Sequence, residues 1–322
     1  MLELSQLRGV CAMMPSFTTA DGGSLDARAT IDVDALAAGV ERMIGDGIHV
    51  LATTGSFGEC YNLLWDEFQT LVRASVEVVR KRVPLFVGVT SPGPREVLEK
   101  MRFVREAGAD GVLLGMPYYI PASVENATQF FLDVADRFPD LAIMIYHNPT
   151  YHHITLPVPM FEQLVTRPNI MAMKDSHRDT TQFTRLMEVT RGHLAVFSNQ
   201  AQLFPYAFLG AAGCWSIGAW MGPWPLLHLW DACAAGDWER ARTISLELGI
   251  DRPVQDLRWR ESSLKLSINE AGYCQVGPLR APFYHVPADV AETARTRGRR
   301  WRELAERYRA LPRQAAAAAQ PA

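Results

Sequence analysis

The sequence predicts a closed (β/α)8 TIM barrel followed by a C-terminal helical extension. Three observations support this fold class: eight short apolar runs, longer amphipathic segments that alternate with them, and a final part of the chain without strand-like runs. Strands that are apolar on both faces are typical of a parallel sheet wrapped by helices. Eight such units within 322 residues favour a single closed barrel.

Eight apolar, β-branched runs are predicted to be the strands. They lie at 9–17, 49–55, 84–89, 111–115, 142–148, 170–176, 194–199 and 213–219. Helices are expected between them at 31–46, 65–82, 94–107, 123–137, 157–166, 179–191, 200–210 and 222–234. Ser123 and Asp179 precede periodic runs, as N-cap residues do. A doubly wound open sheet is the alternative, but no GxGxxG motif follows the first strand, which disfavours a dinucleotide-binding version.

The pattern changes after the eighth unit. Residues 1–222 are predicted to form the barrel, and residues 223–311 a helical region in which Trp224, Trp230 and Trp238 supply bulky contacts. The end of the chain, 312–322, is rich in alanine and low in complexity, so we expect it to be disordered.

The composition excludes several classes of function. A hydrophobic content of 48% and a charged content of 21% are ordinary for a globular protein. The net charge of −3 and the dispersed arginines provide no basic surface for nucleic acid. No apolar run approaches the ~20 residues of a membrane helix, and the start of the chain lacks a signal-peptide pattern. We therefore expect a cytoplasmic protein that binds neither nucleic acid nor membrane.

Cysteine and histidine spacing argues against a metal. The five cysteines are Cys11, Cys60, Cys214, Cys233 and Cys274, and no two have zinc-site or disulfide-framework spacing. Free thiols fit a reducing compartment, and Cys11 and Cys214 lie in strand-like runs that favour a place in the core. The eight histidines include no HExxH motif. We expect no metal and no separate cofactor.

Lysine is scarce, and one lysine stands at the end of a predicted strand. The four lysines are Lys81, Lys100, Lys174 and Lys265. Lys174 ends the apolar run IMAMK, where a buried ammonium should have a lowered pKa or a charged partner. A neutral amine there can attack a ketone and form a Schiff base. The alternatives are a lysine that reaches solvent, or one paired with Asp175 or Glu59.

The carboxyl ends of barrel strands form the active site in this fold class. The residues expected there are Ser16, Thr18, 55–59, Thr90, 116–119, 146–148, Lys174, Asp175, Ser198, Asn199, Trp215 and Ser216. A nucleophilic lysine, phenols that can move protons and a Gly-Ser turn that can bind an anion would then face one cavity. Each feature alone is also compatible with a packed tyrosine or an ordinary turn.

Four motifs, in order and spacing, resemble the dihydrodipicolinate synthase / N-acetylneuraminate lyase superfamily of class I pyruvate aldolases. They are GSFGE at 55–59, Tyr118-Tyr119 after Pro117, YHNP at 146–149 and the strand ending in Lys174. The similarity runs from about residue 8 to about residue 310. It implies a barrel with a C-terminal helical region, usually a homotetramer, that acts on a small molecule through a lysine Schiff base.

The resemblance also implies roles for individual residues. Lys174 would form the imine with the keto carbon of pyruvate or of a pyruvate-containing substrate, and Tyr146 would shuttle protons. The carboxylate pocket would consist of Gly55, Ser56 and Phe57. Tyr119 matches a tyrosine that completes a proton relay in the synthases, often across a subunit contact.

Two departures from the family pattern narrow the substrate. Synthases acting on aspartate semialdehyde carry an arginine where this chain has Tyr151, and a phenol cannot form a bidentate salt bridge. Lysine biosynthesis is therefore not expected. The polar pocket of the sialic acid lyases is replaced by Phe57, Tyr151, Trp215, Trp220 and Met221. Flat aromatic walls favour a flat aromatic substrate.

Within the superfamily the chain looks most like the hydratase-aldolases of aromatic hydrocarbon degradation. TTGSFGE, Trp215 and the run INEAGYCQVGPLRAP at 268–282 carry this likeness. The subgroup converts a benzylidenepyruvate plus water into an aromatic aldehyde and pyruvate. It implies a Trp and an Asn near the site of water addition, which Trp215 and Asn269 match.

Further residues are candidates for the aromatic end of the pocket. His147 is expected to bind substrate there. His152 and His153 either line the same end or are solvated loop residues, and Arg178 and Arg280 are candidates for binding an anionic ring substituent.

Two other functions remain open at this point. One is a different pyruvate-dependent aldolase of the superfamily, either a 2-keto-3-deoxy sugar acid aldolase or a dihydrodipicolinate synthase-like enzyme. The other is a catalytically silent barrel that serves as a sensor or partner protein. Loss of Lys174 or Tyr146 would favour the silent barrel, and both residues are present.

Overall fold

The computed structural model describes residues 2–249 and 253–313 and confirms the predicted barrel. Eight parallel strands close in chain order, and β1 pairs with β8 with Gly9 opposite Gly213. The strands are β1 Gly9–Met13, β2 Val50–Thr53, β3 Leu85–Gly88, β4 Gly111–Leu114, β5 Ala142–Tyr146, β6 Ile170–Lys174, β7 Ala195–Asn199 and β8 Gly213–Ser216. Every strand residue except Asn199 is buried, which explains why the runs read as continuously apolar.

Helices follow the strands as expected. Those around the barrel are α1 Val33–Gly45, α2 Trp65–Val79, α3 Pro94–Ala107, α4 Val124–Arg137, α5 Pro149–His152, α6 Met160–Leu164, α7 Thr180–Thr190, α8 Leu203–Phe208 and α9 Trp224–Ala234. The predicted caps are confirmed, because the Ser123 and Asp179 side chains accept backbone hydrogen bonds from Asn126 and Gln182. The short helix α5 was not predicted; it starts at Pro149, whose ring suits a first helical position.

Three more helices complete the described chain: α10 Trp238–Leu248, α11 Arg260–Ala271 and α12 Ala288–Arg309. Helices α11 and α12 pack closely, since Ser267 Oγ donates to Ala294 O (2.9 Å) and a Cβ on Gly298 would lie only 2.4 Å from Ser267 O. Trp301 Nε1 donates to Gly222 O (3.0 Å) and ties α12 to the barrel. The boundary at residue 222 stays a prediction. The tail was expected to be disordered, and its residues 314–322 lie outside the described residues.

Two expectations about the core and about membranes can be compared with the structure. Cys11 and Cys214 are fully buried, as predicted, and all five cysteines are free thiols. Within the described ranges, no helix has the length and apolar character needed to cross a membrane.

Candidate active site

Lys174 and Tyr146 lie side by side at the carboxyl ends of two adjacent strands. The β5–β6 register pairs these residues directly, and Lys174 Nζ lies 5.6 Å from the centroid of the Tyr146 ring. Lys174 Nζ donates to Ser176 Oγ, and Ser176 Oγ donates in turn to His147 O (2.6 Å). The amine is therefore held at the barrel mouth by a short hydrogen-bond chain.

Burial makes Lys174 unusually acidic. Its side chain is 6% exposed, and this burial lowers its pKa to about 7, with Asp175 acting in the opposite direction and Arg260 adding to the decrease. The structure does not support the two alternatives, a lysine that reaches solvent or one in a direct ion pair. Asp175 binds Arg178 (2.6 Å), and Glu59 binds Lys265 (2.8 Å).

Tyr146 has two hydrogen-bond neighbours and an aromatic one. Its hydroxyl lies 3.2 Å from Ser56 Oγ and 3.4 Å from Asn148 Nδ2, and its ring stacks on Trp215 with centroids 5.8 Å apart. Burial raises the pKa of Tyr146, and the hydrogen bonds from Ser56 and Asn148 partly offset that increase. Asn148 was expected at this mouth with the other residues of 146–148, but no role was predicted for it. Its spacing of two from Tyr146 was the available signal, since alternate residues of an extended segment share a side.

The turn at 55–59 has the properties of an anion site. Among the described residues, none accepts a hydrogen bond from the backbone N–H groups of Ser56 and Phe57, so both donors are available to a ligand. Gly55 is buried behind the turn, where a Cβ would lie 3.1 Å from Met13 Sδ. Gly55 therefore allows the turn to pack, whereas Ser56 and Phe57 line the cavity.

One cavity of about 310 Å³ contains the predicted catalytic group. Lys174, Tyr146, Trp215, Tyr151 and Phe57 line it, together with Asn148, Arg260 and Glu261. Of the residues expected in an aromatic wall, the structure places Phe57, Tyr151 and Trp215 in this cavity, but not Trp220 and Met221. Trp220 is fully buried and packs edge-on against Phe17 (5.5 Å between centroids), so neither it nor Met221 lines this cavity.

A second, mainly apolar cavity of about 370 Å³ shares part of this wall. Tyr146, Ser56, Tyr151 and Glu261 line both cavities. The further lining of the second cavity includes Tyr61, Tyr118, His152, His153, Leu279 and Phe283. Both histidines of the pair line this cavity, His152 as a buried and His153 as an exposed residue. Burial lowers the pKa of His152 to about 3, so its ring is neutral at physiological pH.

Arg260 and Glu261 were missed by sequence reasoning. They start α11, just before the run at 268–282, but no motif includes them, and the fold brings them to the cavity. The Tyr151 hydroxyl donates to Glu261 Oε1 (3.4 Å), whereas Glu261 Oε2 is buried and has no partner among the described residues. Burial raises the pKa of Glu261, which favours its neutral form.

Besides Gly55, three predicted site residues lie outside both cavities. Asn269 binds a loop instead, because its side chain accepts from Val276 N (2.8 Å) and donates to Gly277 O (3.2 Å). Tyr119 is 78% exposed in the single chain, and it is its neighbour Tyr118 that lines the second cavity. His147 is the third.

His147 and Arg178 belong to a buried polar group behind Lys174. His147 Nδ1 donates to Asp175 Oδ1 (3.0 Å) and its Nε2 accepts from Leu156 N (3.1 Å), so neither ring nitrogen is available to substrate. Burial lowers the pKa of His147 to about 4. Arg178 donates to Asp175 and to Leu156 O. His147, Asp175 and His177 approach one another as metal ligands would, but the Arg178 guanidinium already contacts this carboxylate.

Arg280 is also occupied. It donates to Glu59 Oε1 (3.1 Å) and Thr30 Oγ1 (2.7 Å), and it does not line either cavity. The two arginines considered for an anionic ring substituent therefore both belong to buried networks. Arg260, in the first turn of α11, lines the cavity of Lys174 instead.

Comparisons with known proteins show the family to which the chain belongs. Residues 15–296 match the dihydrodipicolinate synthetase family. The chain belongs to this family. A trans-O-hydroxybenzylidenepyruvate hydratase-aldolase of Pseudomonas aeruginosa is 30% identical, with 95% of this chain and 96% of the relative aligned. A 4-hydroxy-tetrahydrodipicolinate synthase of Methanoculleus marisnigri is 29% identical over 84% of this chain and 92% of its own length.

A solved structure is also similar to this chain in fold and sequence. The structure described as PhdJ bound to substrate intermediate has a TM-score of 0.90 and 28% identity, and covers 95% of this chain and 99% of its own. Family membership identifies the chain as an enzyme, a lyase of the class I aldolase type. Such aldolases use a lysine Schiff base and need no metal for it.

Proposed function

We propose that this protein is a Schiff-base hydratase-aldolase that converts a substituted benzylidenepyruvate and water into an aromatic aldehyde and pyruvate. The observation that carries the proposal is a buried lysine amine at a barrel mouth, beside a tyrosine and beneath an aromatic wall. Relatives named as hydratase-aldolases for trans-o-hydroxybenzylidenepyruvate and for trans-2'-carboxybenzalpyruvate support it.

The proposed reaction begins at Lys174. Its neutral amine attacks the 2-keto carbon, water leaves, and an iminium conjugated with the C3–C4 double bond forms. The oxygen of a water molecule then bonds to C4 while its proton passes to a basic group or to solvent. The displaced π electrons move through C3 and C2 to the iminium nitrogen, which gives an enamine. Protonation at C3 restores the iminium of a 4-hydroxy intermediate.

The carbon–carbon cleavage is assigned to Tyr146. The phenol first passes its own proton to solvent through the neighbouring Ser56 hydroxyl, and the phenolate oxygen then takes the proton of the C4 hydroxyl. The aldehyde C=O forms, and the C3–C4 bonding electrons return to the nitrogen as an enamine. The iminium charge nearby would lower the pKa of Tyr146, against the increase caused by burial. Protonation at C3 and hydrolysis then release pyruvate and the free lysine.

The two ends of the substrate would bind different parts of the cavity. The N–H groups of Ser56 and Phe57 and the Ser56 hydroxyl suit the pyruvate carboxylate. Trp215 and Tyr151 would flank the ring, since flat aromatic side chains bury a flat ring well. Asn148, beside the Tyr146 hydroxyl, replaces Asn269 as the amide assigned to the water-addition site.

One observation favours a second candidate. The Arg260 side chain lines the cavity of Lys174, and no described carboxylate forms a salt bridge with it. A guanidinium there suits a second carboxylate. The alternative is therefore a pyruvate-dependent aldolase whose aldehyde partner carries a carboxylate, as a dihydrodipicolinate synthase-like enzyme would use.

The first experiment is reduction with borohydride in the presence of pyruvate, followed by intact and peptide mass spectrometry. The proposal expects one pyruvate adduct on Lys174, absent in Lys174→Ala and retained in the control Lys81→Ala. Lys81 suits the control because it is an exposed lysine paired with Asp110. An enzyme without any adduct would sink the covalent mechanism and leave the silent barrel.

The second experiment follows the absorbance of the conjugated product formed from 2-hydroxybenzaldehyde and pyruvate. Turnover that disappears in Lys174→Ala supports the hydratase-aldolase. A pyruvate adduct without aromatic turnover would retain the aldolase class and redirect the search to carboxylated aldehydes and sugar acids.

A further inference from the structure

A buried polar cluster lies behind the turn at 55–59, outside both cavities. It consists of Ser16, Thr18, Thr30, Glu59, Lys265 and Arg280, all buried. At its centre, Glu59 Oε1 accepts from Lys265 Nζ (2.8 Å) and Arg280 Nη1 (3.1 Å), and Glu59 Oε2 accepts from Arg280 N (3.0 Å). The carboxylate is therefore held by two cations and a backbone donor.

The cluster joins three distant parts of the chain. Ser16, which follows β1, donates to Glu59 Oε1 (2.5 Å). Lys265 comes from α11 and also donates to Thr18 Oγ1 (2.7 Å) and Pro278 O (2.8 Å). The cations that hold Glu59 thus both come from the C-terminal region, whereas Glu59 itself belongs to the turn after β2.

The turn needs such support because the residue just before it and its last residue have a rare backbone conformation. Thr54 (φ 50°) and Glu59 (φ 54°) are non-glycine residues in the left-handed region. Thr54 is fixed by its Oγ1, which donates to Gly88 O (2.8 Å). Glu59 is fixed by the cluster. Between these two residues lie the Ser56 and Phe57 N–H groups that have no described acceptor.

We propose that Lys265 and Arg280, by holding Glu59, set the geometry of the carboxylate-binding turn, so that the C-terminal region determines how tightly the site binds pyruvate. This inference rests on the proposed function, which places the substrate carboxylate at the turn. Glu59, Lys265 and Arg280 are positioning residues, since none of them lines the cavity of Lys174.

The expected signature is a loss of pyruvate affinity without a loss of chemistry. In Glu59→Gln one oxygen becomes an NH2 group and the negative charge between the two cations disappears. The turn then loses the interactions that fix its second left-handed residue, and a displacement of the donors raises the half-saturating pyruvate concentration about tenfold. Because Glu59 is not among the groups that perturb Lys174, the limiting rate of trapping at saturating pyruvate should stay within about twofold.

The test measures the borohydride-trapping rate against pyruvate concentration in the wild type, Glu59→Gln, Lys265→Met and Ser16→Ala. The matched control is Asp231→Asn, which removes the charge of another buried carboxylate. Asp231 lies on α9, remote from the turn, and accepts hydrogen bonds from Arg313 (2.8 and 3.0 Å). The control should lose stability but keep the wild-type half-saturation. Ser16→Ala removes no charge but takes away the hydroxyl that contacts Thr18, Glu59, Lys265 and Arg280. It decides the question if the charge-removing variants do not fold.

The outcomes separate the inference from the proposed function. Raised half-saturation with a retained limiting rate in the cluster variants, and not in Asp231→Asn, supports the inference. Wild-type half-saturation in Glu59→Gln and Ser16→Ala, whatever their melting temperatures, overturns it and makes the cluster purely structural. A wild type that traps no pyruvate at all sinks the proposed function, and the inference with it.

Discussion

The lowered pKa of Lys174 predicts an unusual pH dependence of imine formation. An ordinary lysine with a pKa of 10.5 has only roughly 0.03% of its amine neutral at pH 7. With the pKa at about 7, close to half of Lys174 is neutral at that pH. Burial therefore increases the nucleophilic fraction roughly a thousandfold, before any effect of substrate positioning.

The assay is the initial rate of adduct formation at subsaturating pyruvate, trapped with cyanoborohydride between pH 5.5 and 9.5. Since only the neutral amine attacks, the rate should rise with a midpoint at about pH 7 and then level off. A rate that keeps rising tenfold per pH unit up to pH 9.5 would refute the reasoning, because it would show a lysine with an ordinary pKa.

A pair of variants tests the cause of the shift. Arg260 lowers the pKa of Lys174, so Arg260→Gln should move the midpoint to higher pH. Arg258→Gln is the matched control, because Arg258 is exposed, pairs with Asp256 and is not among the groups that perturb Lys174. An equal midpoint in the two variants would remove Arg260 from the explanation.

Four further outcomes are expected. Tyr146→Phe should still form the pyruvate adduct but release aldehyde about 10²–10⁴-fold more slowly, as judged by trapping and turnover on the same sample. Trp215→Ala removes the ring stacked on Tyr146 and should raise KM for the aromatic substrate about tenfold, measured against its effect on pyruvate trapping. Asn148→Ala should lower the rate of hydration more than the rate of aldehyde exchange, if its amide positions water beside Tyr146; equal losses would contradict that role. Lys174→Met should be more stable than the wild type, by about 4 kcal/mol at pH 7, because the unfolded lysine binds a proton between pH 7 and 10.5 that the folded one releases. The stability difference between the variant and the wild type should therefore shrink as the pH rises from 7 to 10.5. Thermal melts of both proteins at pH 7 and 9.5 would show this change.

The sequence predicted those features that follow from strand order. Lys174 and Tyr146 each end an apolar run, and a closed barrel necessarily brings such ends to one mouth. The Ser56 and Phe57 turn follows from the same rule. These predictions depend on backbone topology, which the periodicity of apolar residues specifies strongly.

The choice of side-chain partners could not be read from the sequence. Asn269 and Asn148 have the same side chain, yet Asn269 hydrogen-bonds a loop whereas Asn148 hydrogen-bonds the Tyr146 hydroxyl. His147 directly follows Tyr146, but its side chain points away from the cavity and hydrogen-bonds Asp175. Glu59 and Lys265 are 206 positions apart, and only tertiary packing decides that they meet.

The ion pairs of Lys265 and Arg280 with Glu59 have a consequence for truncating the protein. A chain cut after residue 222 would keep all eight strands but would leave Glu59 buried without either of its cations. An uncompensated buried carboxylate costs several kcal/mol, so the shortened barrel should open at its mouth or fail to fold. Chimeras that exchange the extension between relatives would meet the same constraint. The extension would have to be inherited together with the turn that it holds.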